Sequence, residues 1–337
     1  MINEDLWSEL ESSCEPPVHG RIQRRIHPES PNDILAAMSY PGRQRMLVVS
    51  APSSLFPNAV RLLRDLREVR GLAVDVEVVD RSRSELRIAV TSRDLESVFT
   101  PLARDIADAV AASPSDGVIL ETVQRYAHWQ ELLRSVGSDG LGLETRRGLF
   151  GELHVLREHL LPNMTSALDA VRAWTGPTGT DQDFQLPSCA VEVKTTKRRS
   201  PATVTITSER QLEDYGAGDL FLTAIVVDER RGGTGVSLPS MVGDIRESLS
   251  DSRARAELDL NLARYGYFDH DVARYDEPRY TVVTDEVWRV TNDFPRLTTA
   301  ILPPGVHRCT YEISADFLTQ FAMTRDAFTA ALRRCHQ

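Results

Sequence analysis

Long apolar runs, paired cysteines and a surplus of positive charge are all missing from this sequence, and each absence removes a class of protein. No stretch approaches the roughly 18 consecutive apolar residues that mark a membrane-spanning helix, so no membrane association is expected. The opening residues Met1-Ile2-Asn3-Glu4-Asp5-Leu6-Trp7 carry acids where a secretion signal carries bases. Export is therefore not expected, and the compartment expected is the cytoplasm. Cys14, Cys189, Cys309 and Cys335 lie far apart with no C-x-x-C pair. That spacing argues against a structural zinc site and a disulfide framework, and fits reduced thiols. Arg231-Gly232-Gly233-Thr234-Gly235 lacks the lysine of a phosphate-binding loop and reads as a hairpin turn between strands. With no Gly-x-Ser-x-Gly elbow either, ATP hydrolysis and serine-nucleophile chemistry have no support. His154 and His159 stand five apart on an expected helix, not the four apart that pairs two zinc-binding histidines on an α-helical face. Positive charge is scarce too. Lys and Arg number 39 against 49 Asp and Glu, a net charge of -10. Phosphate contact would then have to be local or delivered by a partner, because neutralising phosphates drives most nonspecific affinity.

What is present is an ordinary globular composition, 41% apolar and 26% charged, in a chain long enough for one large domain or two moderate ones. The first 35 residues are polar and proline-rich, and read as a short helix followed by an extended arm. Strands are expected at 45–49, 72–79 and 85–91, with an amphipathic helix at 57–70 and two further helices at 95–112 and 116–136. Gly137-Ser138-Asp139-Gly140-Leu141-Gly142 is the strongest boundary signal. It separates an N-terminal α+β accessory or recognition region (1–137) from a second domain (138–337). There, a helix at 144–161 and a short one at 166–174 precede strands at 182–186, 190–195, 202–207 and 220–227. A helical stretch (239–265), two strands (280–290, 307–313) and a last helix (324–335) complete an order expected of a mixed sheet flanked by helices.

The informative segment runs from Asp181 to Thr196. If Pro187 and Ser188 form a hairpin tip, Leu186 faces Cys189, Phe184 faces Val191 and Asp183 faces Glu192. One face then collects Phe184, Leu186, Cys189, Val191 and Val193, all apolar. The other collects Asp183, Glu192 and Lys194. Two carboxylates side by side repel unless a cation sits between them, and Mg²⁺ is the natural hard, oxygen-seeking choice. A lysine two residues on reaches the same pocket, where it can orient or deprotonate water for phosphodiester hydrolysis. The plain alternative is a solvated hairpin face with a salt bridge, since a lone D…E-x-K match is short and degenerate. Two flanking features favour the site. Glu152 sits between Leu149 and Leu156 at the edge of an apolar helix face, where a carboxylate needs a partner. Downstream, Ser208 to Gln211 reads as a helix start with Ser208 as cap and Gln211 in a capping box. Lys197, Arg198 and Arg199, with Arg146 and Arg147, read equally well as a weak phosphate track or as solvated surface.

With these residues the chain resembles the PD-(D/E)XK nuclease superfamily, specifically the bacterial PD-(D/E)XK motif proteins. The segments that carry the likeness are Gly148-Leu149-Phe150-Gly151-Glu152-Leu153, Ala173-Trp174-Thr175-Gly176-Pro177, Asp183-Phe184, Val191-Glu192-Val193-Lys194-Thr195-Thr196 and Ser208-Glu209-Arg210-Gln211-Leu212. Asp293-Phe294-Pro295-Arg296-Leu297 extends it toward the end of the chain. The sequence departs from the pattern in having Gln182, not proline, before Asp183. The resemblance implies an α/β restriction-endonuclease-like core, a mixed central sheet flanked by helices. It implies Mg²⁺, with Mn²⁺ as a substitute, held by Asp183, Glu192, Glu152 and the Val193 carbonyl. Lys194 would handle the attacking water and Gln211 would help place it. DNA is the implied substrate, in a restriction or phage-defence setting with a partner ATPase or other defence subunit, and a homodimer is an open possibility. Two other readings stay open: a degenerate nuclease fold that binds DNA or serves assembly, and a repair or junction-resolving nuclease with the same site.

Overall fold

The computed structural model describes residues 2–12, 17–66, 71–136, 140–197, 203–214, 216 and 218–335. By its contacts the chain divides into two compact units, Met1–Asp139 with Phe268–His270, and Gly140–Tyr267 with Asp271–Gln337.

In the first unit, helix α1 (Glu4–Glu11) is capped by the Asn3 side chain, which accepts from the Leu6 N–H. Strands β1 (Gly20–Ile26), β2 (Asp33–Tyr40) and β3 (Gln44–Pro52) follow, then helix α2 (Phe56–Asp65), strands β4 (Leu72–Val78) and β5 (Arg83–Val90), and helices α3 (Glu96–Ala112) and α4 (Val118–Val136). The five strands form one antiparallel sheet in the order β1-β2-β3-β5-β4. The extended arm expected over the first 35 residues is corrected here, because residues 20–26 and part of 33–40 are paired strands. Arg21, Arg24 and Arg25 hide the alternation of β1, which an edge strand tolerates because it need not be covered on both sides. Arg21 is fastened to the sheet by two bonds to Glu85, at 2.6 and 2.7 Å.

The second unit opens with helix α5 (Leu143–Val155), continued by a π-helical turn over Leu156–Leu160, and helix α6 (Ala167–Ala173). Strands β6 (Phe184–Leu186), β7 (Cys189–Thr196), β8 (Thr203–Ile206) and β9 (Asp219–Arg230) come next, then helices α7 (Leu238–Ser248), α8 (Ser252–Tyr265) and α9 (Val272–Tyr275). The rest comprises β10 (Arg279–Val290), β11 (Tyr311–Ser314), α10 (Ala315–Leu318), β12 (Ala322–Met323) and α11 (Arg325–Cys335). The main sheet runs β12-β10-β9-β7-β6, with β7 and β9 parallel and every other neighbour antiparallel. The 231–235 turn does not join paired strands directly, as the sequence suggested. It leads from β9 into α7, and β9 meets β10 only after three helices.

Burial explains the layering. Strand β9 is central, and its apolar run serves both faces, as a strand covered on both sides must. Phe221, Ile225 and Val227 join one core with Leu149, Leu153 and Leu156 of the first helix and turn, Leu258 of α8 and Phe328 of α11. Leu220, Leu222 and Ala224 join the other with Val204, Ile206, Leu212 and Ile313, over which β8 and β11 pair as a small second sheet. The architecture is a mixed sheet with helices on one face and a thinner layer on the other.

Candidate active site

The hairpin forms with the register expected from its pattern. Phe184 pairs with Val191, Gln185 with Ala190 and Leu186 with Cys189, leaving Pro187 and Ser188 at the tip. The apolar face closes into the helix-covered core, where Phe184, Leu186, Cys189, Val191 and Val193 are all buried. Asp183 lies one residue before β6. Its Oδ2 accepts the Val193 N–H at 2.7 Å, so the carboxylate is tied to the backbone between Glu192 and Lys194. Glu192 is 1% exposed.

Lys194 sits across the same face. Its Nζ lies 2.7 Å from Glu192 Oε1 and donates to Gln211 Oε1 at 2.8 Å. Gln211 Oε1 also accepts from the Thr207 N–H at 3.0 Å and the Thr207 hydroxyl at 3.1 Å. The helix start expected at Ser208 is corrected: residues 209–212 form a turn. Ser208 Oγ accepts from Arg210 N at 3.2 Å, a local bond that competes with helix initiation. The turn is what brings Gln211 back to Lys194.

Glu152 enters from α5. Its Oε2 accepts the Trp174 indole N–H at 2.7 Å and its Oε1 the Tyr265 hydroxyl at 2.9 Å. A Cβ placed on Gly176 would stand 3.0 Å from Glu152 Oε2 and 3.1 Å from Asp183 Oδ1. The two acids therefore converge beside a glycine that has no side chain to separate them. Gly151, the residue before Glu152, makes the other close approach: a Cβ there would meet Thr195 Oγ1 at 1.8 Å. Only a bare backbone lets α5 lie so near β7. Sequence reading gave Trp174 and Gly176 no role and missed Tyr265 and Thr207 altogether. Tyr265, at the end of α8, has no local signal that could have revealed it.

Crowding raises all three acids. Burial and the Asp183 charge push Glu152 up to about 8, against the Trp174 and Tyr265 bonds that favour its ionised form. Burial pushes Asp183 up to about 6, opposed by the Val193 N–H and Lys194. Burial and the Asp183 charge lift Glu192 well above the usual carboxylate range, although Lys194 pulls it down. Glu192 Oε2 is buried without a hydrogen-bond partner among the described residues. One ammonium cannot compensate three buried carboxylates, so the cluster calls for a further cation. The donors brought together here are carboxylate oxygens, and this hard donor set fits Mg²⁺ or Mn²⁺.

The candidate phosphate contacts are placed differently. Arg146 is spent on internal carbonyls, with Nε to Leu141 O at 2.6 Å, Nη1 to Arg274 O at 3.0 Å and Glu277 O at 3.2 Å, and its guanidinium over the Tyr275 ring. Arg147 Nε donates to Glu229 at 2.8 Å. Neither guanidinium is directed to the acidic cluster. Lys197 is exposed just past β7, while Arg198 and Arg199 lie outside the described residues. Among the described residues no helix is long and apolar enough to cross a membrane.

Comparison with known proteins adds one finding. Residues 3–316 match the family model described as "Putative PD-(D/E)XK family member, (DUF4420)". No curated protein and no solved structure gives a significant match. The mixed sheet flanked by helices, with an acid, an E-x-K strand and a helical glutamate converging at one edge, is the restriction-endonuclease-like fold that such a match entails. The chain belongs to this PD-(D/E)XK family.

Proposed function

We propose that the chain is a Mg²⁺-dependent endodeoxyribonuclease, with Mn²⁺ as a substitute, working in a restriction or anti-phage defence system. The observation that carries the reading is Glu192 Oε2, a buried carboxylate oxygen without a hydrogen-bond partner among the described residues, beside Asp183 and Lys194. Asp183, Glu192, Glu152 and the Val193 carbonyl would hold the ion. When bound, it supplies Lewis-acid polarisation of the scissile phosphate and a lowered pKa for water.

The protein's own groups do the positioning. Lys194 Nζ uses two of its three hydrogens on Glu192 and Gln211, which leaves the third for the attacking water. Gln211 fixes the ammonium, and Thr207 in turn fixes Gln211. Trp174 and Tyr265 orient the Glu152 carboxylate. With these donors fixed before substrate arrives, stabilising charge on the reacting phosphate requires little reorganisation. DNA as substrate and the defence setting rest on the resemblance. Delivery of DNA by a partner ATPase or other subunit fits the net charge of -10 and the internal use of Arg146 and Arg147.

The test is cleavage of supercoiled and linear plasmid, unmodified and methylated, in Mg²⁺, Mn²⁺ and EDTA, beside Lys194→Ala. Metal-dependent nicking or linearisation lost in the variant is the expected result. A variant that cuts at the wild-type rate removes Lys194 from the chemistry. The second reading, a catalytically degenerate subunit that binds DNA or serves assembly, is favoured by the net charge of -10 alone. DNA binding with neither cleavage nor calorimetrically detectable Mg²⁺ binding would select it, whereas Mg²⁺ binding without cleavage would point to a missing partner.

A further inference from the structure

A second cluster of metal-ligand types lies on the helix-covered face of the same unit, built from residues that the acidic centre does not use. His154 is on α5, His159 on the π-helical turn that follows, and Asp285 on β10. Five residues apart, the two histidines would diverge on an α-helix. The π-helical turn removes that divergence. The Leu161 N–H bonds the Leu156 carbonyl five residues back, at 2.9 Å, and the wider turn brings both imidazoles toward the sheet. The local helix geometry thus lets a five-residue spacing, which on a regular α-helix would separate the rings, bring them together.

The three side chains converge on one point. His154 Nε2 is 3.2 Å and His159 Nε2 2.7 Å from the same oxygen, Oδ2 of Asp285. The three ligand atoms all lie within 4.8 Å of one another. His154 is 8% exposed and His159 2%. A purely hydrogen-bonded triad explains this only if both rings carry their proton on Nε2. Both Nδ1 atoms are then buried acceptors, and neither has a partner among the described residues, nor does Asp285 Oδ1. The Nδ1 atoms lie on the far side of each ring, so the case for an ion rests on the meeting of two buried imidazole nitrogens and one carboxylate oxygen.

We infer that His154, His159 and Asp285 bind a first-row transition-metal ion, with Zn²⁺ as the representative, at a site separate from the carboxylate cluster. Two imidazoles and one carboxylate are a donor set for Zn²⁺ and similar ions, and a poor one for Mg²⁺. Donors about 2.0–2.2 Å from a tetrahedral ion stand roughly 3.3–3.5 Å from one another. The 3.2 Å pair is already close to that spacing, and the 2.7 Å pair has to open by only about 0.6–0.8 Å. Three protein ligands leave one coordination position for water. Since none of the described residues locks either Nδ1 from behind, the site should bind about 10–100-fold more weakly than one with a complete outer shell. An ion here would fasten the end of α5, two residues past Glu152, to β10.

The test uses the untagged full-length chain, titrated with Zn²⁺ in competition with a chromophoric chelator. Variants are Asp183→Asn/Glu192→Gln, which disables the acidic centre, and His159→Gln and Asp285→Asn, which disable this one. One Zn²⁺ equivalent retained in the first variant, with affinity lost about tenfold or more in the other two, is the expected result. No Zn²⁺ bound by the wild type, or equal binding in all variants, overturns the inference. Co²⁺ added to the unmutated protein gives an independent readout should a histidine variant fail to fold. Intense visible d–d bands of a four-coordinate ion support the site, and only the weak bands of an octahedral ion overturn it. The inference does not depend on nuclease activity, and the double variant of the acidic centre separates failure of one reading from failure of the other.

Discussion

The indole N–H of Trp174 donates to Glu152 Oε2 at 2.7 Å, inside a core where Trp174 itself is 1% exposed. A hydrogen bond to an ionised, buried acceptor contributes about 1.5–3 kcal/mol. Trp174→Phe keeps most of the buried ring and deletes the donor, so Glu152 becomes harder to ionise. The Mg²⁺ concentration needed for half-maximal cleavage should rise by about tenfold or more. An unchanged Mg²⁺ dependence would place Glu152 outside the ion site.

The raised carboxylates give stability a definite pH dependence. For Glu152 the folded value is about 8 against 4.5 for the unconstrained group, and for Asp183 about 6 against 3.8. The folded state holds these protons more tightly than the unfolded chain. The stability that these two groups contribute to the metal-free protein should therefore be fully present below about pH 4 and be lost as pH rises from there to about 8. Mg²⁺ competes with those protons, so its thermal stabilisation should be larger at pH 8.5 than at pH 5.5. A melting series at the two pH values, with and without Mg²⁺, checks this. Equal shifts at both would separate the ion from the acidic cluster.

Asp183→Asn tests the same balance by subtraction. The amide oxygen can still accept the Val193 N–H, so the hairpin should keep its geometry. One buried charge disappears, and the metal-free melting temperature at pH 8 should rise. The Mg²⁺-induced shift should vanish, and cleavage should fall by about a hundredfold or more. A destabilised variant with an intact Mg²⁺ response would show that Asp183 serves the fold and not the ion.

Gly151→Ala probes the scaffold beneath the site. The added methyl would stand 1.8 Å from Thr195 Oγ1 and 2.9 Å from Thr195 Cβ, so α5 and β7 must move apart. Overpacking of this kind costs about 1–3 kcal/mol, readable by chemical denaturation. Thr195→Ala in the same chain removes the nearest atom but leaves Cβ, and should recover part of the loss. Strict additivity of the two substitutions would exclude the contact as the cause.

The hairpin was legible because its information is local. A two-residue tip and a period of two fix which side chains share a face, and Phe184 pairs with Val191 as that period requires. Strand β1 was hidden by its arginines, of which Arg21 finds its partner Glu85 64 residues away. The expected helix at Ser208 failed for a related reason. A capping-box pattern competes with a bond from Gln211 back to the Thr207 N–H, and Lys194 on another element strengthens the second choice.

The sequence by itself determined the pairing of the hairpin, the burial of its apolar face, and the set Asp183, Glu192 and Lys194 on one stretch of chain. These follow from backbone periodicity, which needs no knowledge of distant residues. Only the tertiary structure decided what surrounds them: Tyr265 and Trp174 on Glu152, Thr207 behind Gln211, Gly176 beside two acids, and Arg146 and Arg147 turned to internal partners. The π-helical turn that joins His154 to His159 belongs with these. Each depends on how helices settle on a sheet, and that settling is set by the packing of side chains far apart in sequence, where no local spacing records it.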